Sequence, residues 1–128
     1  MSHSVNIKTQ LKNISNLLAQ FEKLGWKIAM NQKCVTYPSD PRRDEVHPYV
    51  AKNPKGGYDV GVNTDTEGNA YFICDFFDNS IEKQLGENLQ SIKQGYALDE
   101  IKSFMENEEM DYRVDVLESG ELVVIAEK

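Results

Sequence analysis

The stretch YDVGVNTDTEGNAYFICDFF, residues 58–77, constrains the fold of this chain most tightly. Residues 58–63 and 70–77 each alternate in the way half-buried strands do, and TDTEGN between them consists of turn formers. So short a connection predicts an antiparallel hairpin. In its second strand Ala70, Phe72, Cys74 and Phe76 form the inward set, leaving Tyr71, Ile73, Asp75 and Phe77 on the other side. That leftover face is mostly apolar too, which invites self-association or a partner.

Upstream the period changes. Leu11, Ile14, Leu17, Leu18, Phe21 and Leu24 recur at spacings of three and four, the stripe of an amphipathic helix, with Thr9 as its expected N-cap and Gly25 as its end. Residues 4–8, SVNIK, suit a first strand before it. After it, residues 26–30 and 34–37 predict two short strands turning at Asn31, Gln32 and Lys33. Residues 38–57 carry all four prolines (Pro38, Pro41, Pro48, Pro54), the pair Arg42 and Arg43, and Gly56 with Gly57, which predicts a long basic surface loop.

Downstream, Asn79 stands three residues before Glu82 and resembles a capping signal. Leu85, Leu89, Ile92, Tyr96, Ile101 and Phe104 or Met105 continue helical spacing to about residue 108, with Gly86 and Gly95 as points of bending or breakage. Tyr112, Val114 and Val116 then alternate with Arg113 and Asp115, ESGE turns the chain, and LVVIA (122–126) closes it. The expected order is β-α-β-β-β-β-α-β-β. This is an α+β fold, a mostly antiparallel sheet with two helical segments packed on one face. At 128 residues the chain suits a single domain, 1–128.

LVVIA is apolar on both parities. Either its strand is central and covered twice, or its second face meets another subunit. Together with the face of Tyr71, Ile73 and Phe77, this implies self-association or a protein partner, because exposed apolar patches mark contacts.

Charge is unevenly placed along the chain. Residues 1–58 hold nine Lys and Arg against four Asp and Glu, a balance of +5, whereas residues 98–128 hold three against ten, which is -7. Nucleic acid is disfavoured as a general partner, because neutralising phosphates requires a concentrated basic surface. Tyr49, Tyr58 and Tyr71 with Arg42, Arg43, Lys52 and Lys55 could stack on and neutralise single-stranded RNA, but no RNP-like run accompanies them. No apolar run reaches the roughly 20 residues that span a bilayer, and no secretory pattern opens the chain. A cytoplasmic or stromal protein without membrane insertion is expected.

His3, Cys34, His47 and Cys74 are the soft metal ligands, and they lack the close pairing of a structural zinc site, so no metal or other cofactor is expected. Cys74 falls in the inward set, where burial makes a thiol inert; Cys34, beside the basic loop, is the candidate reactive thiol. Asp75 and Asp78 could divide acid and base roles, but no positioned His, Lys or Arg completes a catalytic constellation. Their simpler assignment sets Asp75 outward on the strand and Asp78 at the positive end of a helix. Lys55, Gly56 and Gly57 lack the ordered glycine and Lys-Ser/Thr ends of a phosphate loop.

The opening MSH followed by IKT, the helix ending LG, the YDVGV strand with its aromatic partner, QGYA in the second helix and the closing hairpin together span essentially the whole chain. In this ordered set the chain resembles the hypothetical chloroplast reading frame thirty-five family, small plastid-encoded and cyanobacterial proteins forming a domain of unknown function. It departs from that pattern at Ser4, at Phe76 and Phe77, and at Gly95, where the family usually carries an aromatic, a tryptophan and a basic residue. The resemblance implies a photosynthetic lineage, its viruses included, and a cytoplasmic or plastid stromal setting. It brings no catalytic residues.

These observations lead to an expected non-enzymatic protein-binding or regulatory module, docking through Tyr71, Ile73 and Phe77 and through Arg42, Arg43 and Tyr49. The alternatives are a cysteine-based or cofactor-dependent redox accessory or enzyme acting through Cys34, and an RNA-binding module.

Overall fold

The expected α+β class is what the chain forms. The computed structural model describes residues 4–109, 111–119 and 121–127; His3 lies outside them. In chain order come β1 (Val5–Lys8), α1 (Ile14–Lys23), β2 (Lys27–Lys33), β3 (Val46–Lys52), β4 (Val60–Thr64), β5 (Ala70–Cys74), α2 (Ser80–Leu85), one 3-10 turn (Glu87–Leu89), α3 (Gln90–Asn107), β6 (Asp111–Val116) and β7 (Leu122–Glu127). The first five strands make one antiparallel sheet in the order β1-β5-β4-β3-β2, and β6 with β7 makes a separate two-stranded sheet.

The helix stripe and the inward strand set meet as their periods require. Leu17 and Phe21 of α1 are buried with Trp26, Ala51, Val60, Val62, Phe72 and Cys74, and Ile81, Leu85, Leu89 and Ile92 close the same core. Phe21 stands edge-on to both Trp26 and Phe72, at 6.0 Å in each case, a geometry that suits the ring quadrupoles.

Several expected boundaries move. Thr9 is not the cap of α1: its N–H and hydroxyl both donate to Ala70 O, and Ala70 N–H donates to Leu11 O. Residues 9–11 thus extend the β1–β5 ladder, and Asn13 caps instead, its Oδ1 accepting from Asn16 N at 3.2 Å. The expected turn at 31–33 is absent, and residues 34–37 form no strand. β2 runs on to Lys33 and pairs with β3, which lies inside the expected proline loop. Asn31 takes a left-handed φ of 53° between the pairs Met30↔Tyr49 and Gln32↔His47, opposite Pro48, which has no N–H to offer. Asn79 is left-handed with no side-chain cap, and the neighbouring Asp78 Oδ1 accepts from Ser80 N at 2.9 Å.

The second helical region breaks at Gly86 but not at Gly95. A Cβ at Gly95 would collide with Gln20 Oε1, so this glycine leaves the room that the Gln20 amide takes between α1 and α3. A polar seam surrounds that space: Gln20 Nε2 donates to Asp99 Oδ2 at 2.8 Å, and Asn13 N to Tyr96 Oη at 2.9 Å. The strand carrying LVVIA is not central. Among the described residues it pairs with β6 alone in a two-stranded sheet, where Val123 stays 39% exposed.

Candidate functional site

The face of the main sheet away from the helices is the first place to look for a docking surface, and the chain covers it itself. A row of paired residues crosses this face: Asn6 beside Ile73, Ile73 beside Gly61, and Gly61 beside Val50. Residues 34–45 lie over that row. At one end Val35 N donates to the buried Asp59 Oδ2 at 2.9 Å and Asp59 N returns a bond to Val35 O, also at 2.9 Å. At the other, Ser4 Oγ donates to Asp40 Oδ2 and Arg42 Nη1 donates to Asn6 Oδ1 at 2.6 Å. Tyr37 meets Phe77 edge to face at 5.0 Å.

The cover fits closely. A Cβ on Gly61 would come within 3.1 Å of the His47 ring and 3.2 Å of Cys34 Sγ, so any larger residue would push both aside by a few tenths of an ångström. Ile73, at 2% exposure, therefore offers no surface to a partner, which corrects its expected role. Asp75 is also buried rather than outward, its Oδ1 accepting from Phe77 N at 2.9 Å.

The remaining expected contact residues do not form one patch. Tyr49 pairs with Val62 and packs on the helix-face core, whereas Tyr71 pairs with Asn63 and Lys8 on the covered face. Both are half-buried. This separation also removes the shared aromatic platform that single-stranded RNA would need. Arg42 is engaged internally, forking onto Glu45 through Nε at 2.7 Å and Nη2 at 3.2 Å. That hydrogen bonding raises the Arg42 pKa and lowers that of Glu45. Arg43 and Phe77 remain exposed, Phe77 at 60%.

Cys34 is not the reactive thiol its basic neighbourhood suggested. Burial, reinforced by the Asp59 carboxylate, pushes its pKa up to about 12, and burial does the same to Cys74. Lys52 and Arg42 act in the opposite direction but less strongly. Lys52 is moreover tied to Asp59 at 3.2 Å. Burial likewise lowers the pKa of His47, which is 3% exposed. Among the described residues, no three His, Cys, Asp or Glu side chains group so as to hold a metal ion. No helix among them is long and apolar enough to cross a membrane.

Besides Phe77, Met30, Val35 and Val46 on and around the main sheet, a further exposed apolar surface lies on the two-stranded sheet. On the two-stranded sheet Val114 pairs with Val124 and Val116 with Leu122, two aliphatic pairs on one face. Leu122 lines an open cleft of about 470 Å³ with Ala97 and Ile101 of α3. Val116 (62%), Phe104 (58%) and Leu117 (45%) remain well exposed. Of this surface the contact set expected from sequence contained nothing; its signal was the double-sided apolarity of LVVIA. No family model, no curated protein and no solved structure matches the chain.

Proposed function

We propose that the chain is a non-enzymatic protein-binding or regulatory module that engages its partner through the C-terminal hairpin. The observation carrying this proposal is the outer edge of β7, which has no ladder partner among the described residues although the strand is aliphatic from Leu122 to Ile125. A two-stranded ribbon is marginal on its own, and an open edge is a template for a further strand. Strand addition would satisfy its backbone groups and cover Val123.

The redox alternative is not favoured, because both thiols are buried and have raised pKa values. The ordered set of MSH, IKT, YDVGV and QGYA supports, within the same proposal, membership of the plastid and cyanobacterial reading-frame family and a cytoplasmic or stromal setting.

A photo-crosslinking residue placed at position 123, with position 73 as the covered control, tests the docking proposal in cells. The expected result is a discrete protein adduct at 123 that excess unlabelled chain competes away and that position 73 does not form. Equal yields at the two positions, or none at 123, would overturn it.

A further inference from the structure

We infer that the hairpin's partner is a second copy of this chain, with β7 of one copy laid antiparallel along the outer edge of β2 in the next. The inference rests on the protein-association proposal above. Among the described residues, β2 and β7 are the two long strands whose outer edges lack a ladder partner and whose ends carry charged residues of one sign: Lys27 and Lys33 on β2, with Asp44 at 3.6 Å from Lys33 Nζ on the exposed side, and Glu121 and Glu127 about β7. The spacing is the same in both, five residues between the lysines and five between the glutamates. One antiparallel register therefore sets position 33 against 121 and position 27 against 127, lysine against glutamate at both ends. The same register sets Met30, which is 61% exposed, against Val124, and Ala29 against Ile125.

The other edge pairings fit less well. β2 on β2 brings lysine to lysine. β7 on β7 joins two copies of residues 98–128, each carrying -7, and leaves Glu127 facing Leu122. β1 is four residues long and Arg42 already bonds Asn6 within it. β6 places Arg113 between Asp111 and Asp115, so its charge alternates instead of matching two lysines. Like charges across a strand pair are unfavourable and opposite charges favourable, which selects the β2–β7 combination.

Asn31 shapes the contact. Its left-handed φ of 53° interrupts the β2 edge, so the ladder runs as two short stretches, 27–30 against 124–127 and 32–33 against 121–122. Few backbone bonds and exposed ion pairs make a reversible contact that salt weakens. Because the two surfaces differ, the contact is head-to-tail, and copies joined by it form closed rings of two or more or open chains.

The test is sedimentation of the full chain over a concentration series at low and high salt, beside K27E/K33E, E121K/E127K and their equimolar mixture, with circular dichroism to confirm that each is folded. The expected result is a mass rising above the 14.6 kDa of one chain at low salt, lost in either double variant and regained in the mixture, where reversed lysines meet reversed glutamates. A monomer at every concentration, a mixture no larger than its components, or association in K27E/K33E alone equal to that of the unmodified chain would each overturn it. The position-123 adduct separates this inference from the broader proposal. An adduct of two copies supports both; an adduct with a different protein retains protein binding and removes self-association.

Discussion

Arg42 Nη1 donates to Asn6 Oδ1 at 2.6 Å, which fastens the segment over the second sheet face to edge strand β1. The same guanidinium forks onto Glu45. Arg42→Ala is expected to cost about 1 kcal/mol, the order of a part-exposed charge-assisted bond after solvent screening. The cost should be local, so amide exchange across 34–45 quickens while that of Phe21 and Phe72 keeps its global rate. Unchanged exchange in 34–45 would show that the latch contributes nothing.

Both thiols should react only through unfolding. With folded pKa values of about 12 against an ordinary 9.0, Cys34 and Cys74 carry almost no thiolate near neutrality and are shielded besides. Labelling by an aromatic disulfide at pH 8 is expected to be slow and to accelerate with denaturant in step with loss of the circular dichroism signal. Because these pKa values are raised, the associated stability is fully present below pH 9 and declines as pH climbs from 9 towards 12.

What was legible in the sequence was local. The hairpin within residues 58–77 and the α1 stripe need only neighbouring residues to declare themselves, and both exist with their cores facing one another. Pro48 and Asn31 mislead when read separately, since each signals a turn. Paired across β2 and β3, the missing donor and the left-handed residue accommodate one another. The cover over the second face was illegible for the same reason: Ser4 and Asp40 are 36 positions apart, and no period links them. Cys34 was misjudged because nearby arginines are visible in sequence, while burial and Asp59, 25 positions on, are not.

His47 should make the chain sensitive to mild acid. Its pKa is lowered from 6.5, chiefly by burial, with Arg42 acting in the same direction and Glu45 against it. The unfolded state therefore takes up a proton first, so this contribution to stability is present above pH 6.5 and lost as pH falls through the folded value. The chain is expected to lose stability as pH falls below 6.5. His47→Gln should flatten that slope in urea titrations, and an undiminished slope would assign it to other groups.

Gly95→Ala decides between two opposing effects. In an exposed helix interior the change gains roughly 1 kcal/mol of helix propensity. Here the new Cβ collides with Gln20 Oε1 and would lie 3.0 Å from Gln20 Cδ. Gln20 is only 5% exposed and is held by Asn16 and Asp99. Overpacking of this kind typically costs about 1–3 kcal/mol, so the collision outweighs the propensity and a net loss of stability is expected. Gln20→Ala in the same chain removes the obstructing amide, and the double variant should recover most of the loss, giving a coupling of about 1 kcal/mol or more in a urea-denaturation cycle. Additive effects would mean that α1 and α3 can separate here without cost, and that the room left by Gly95 is not what the Gln20 amide needs.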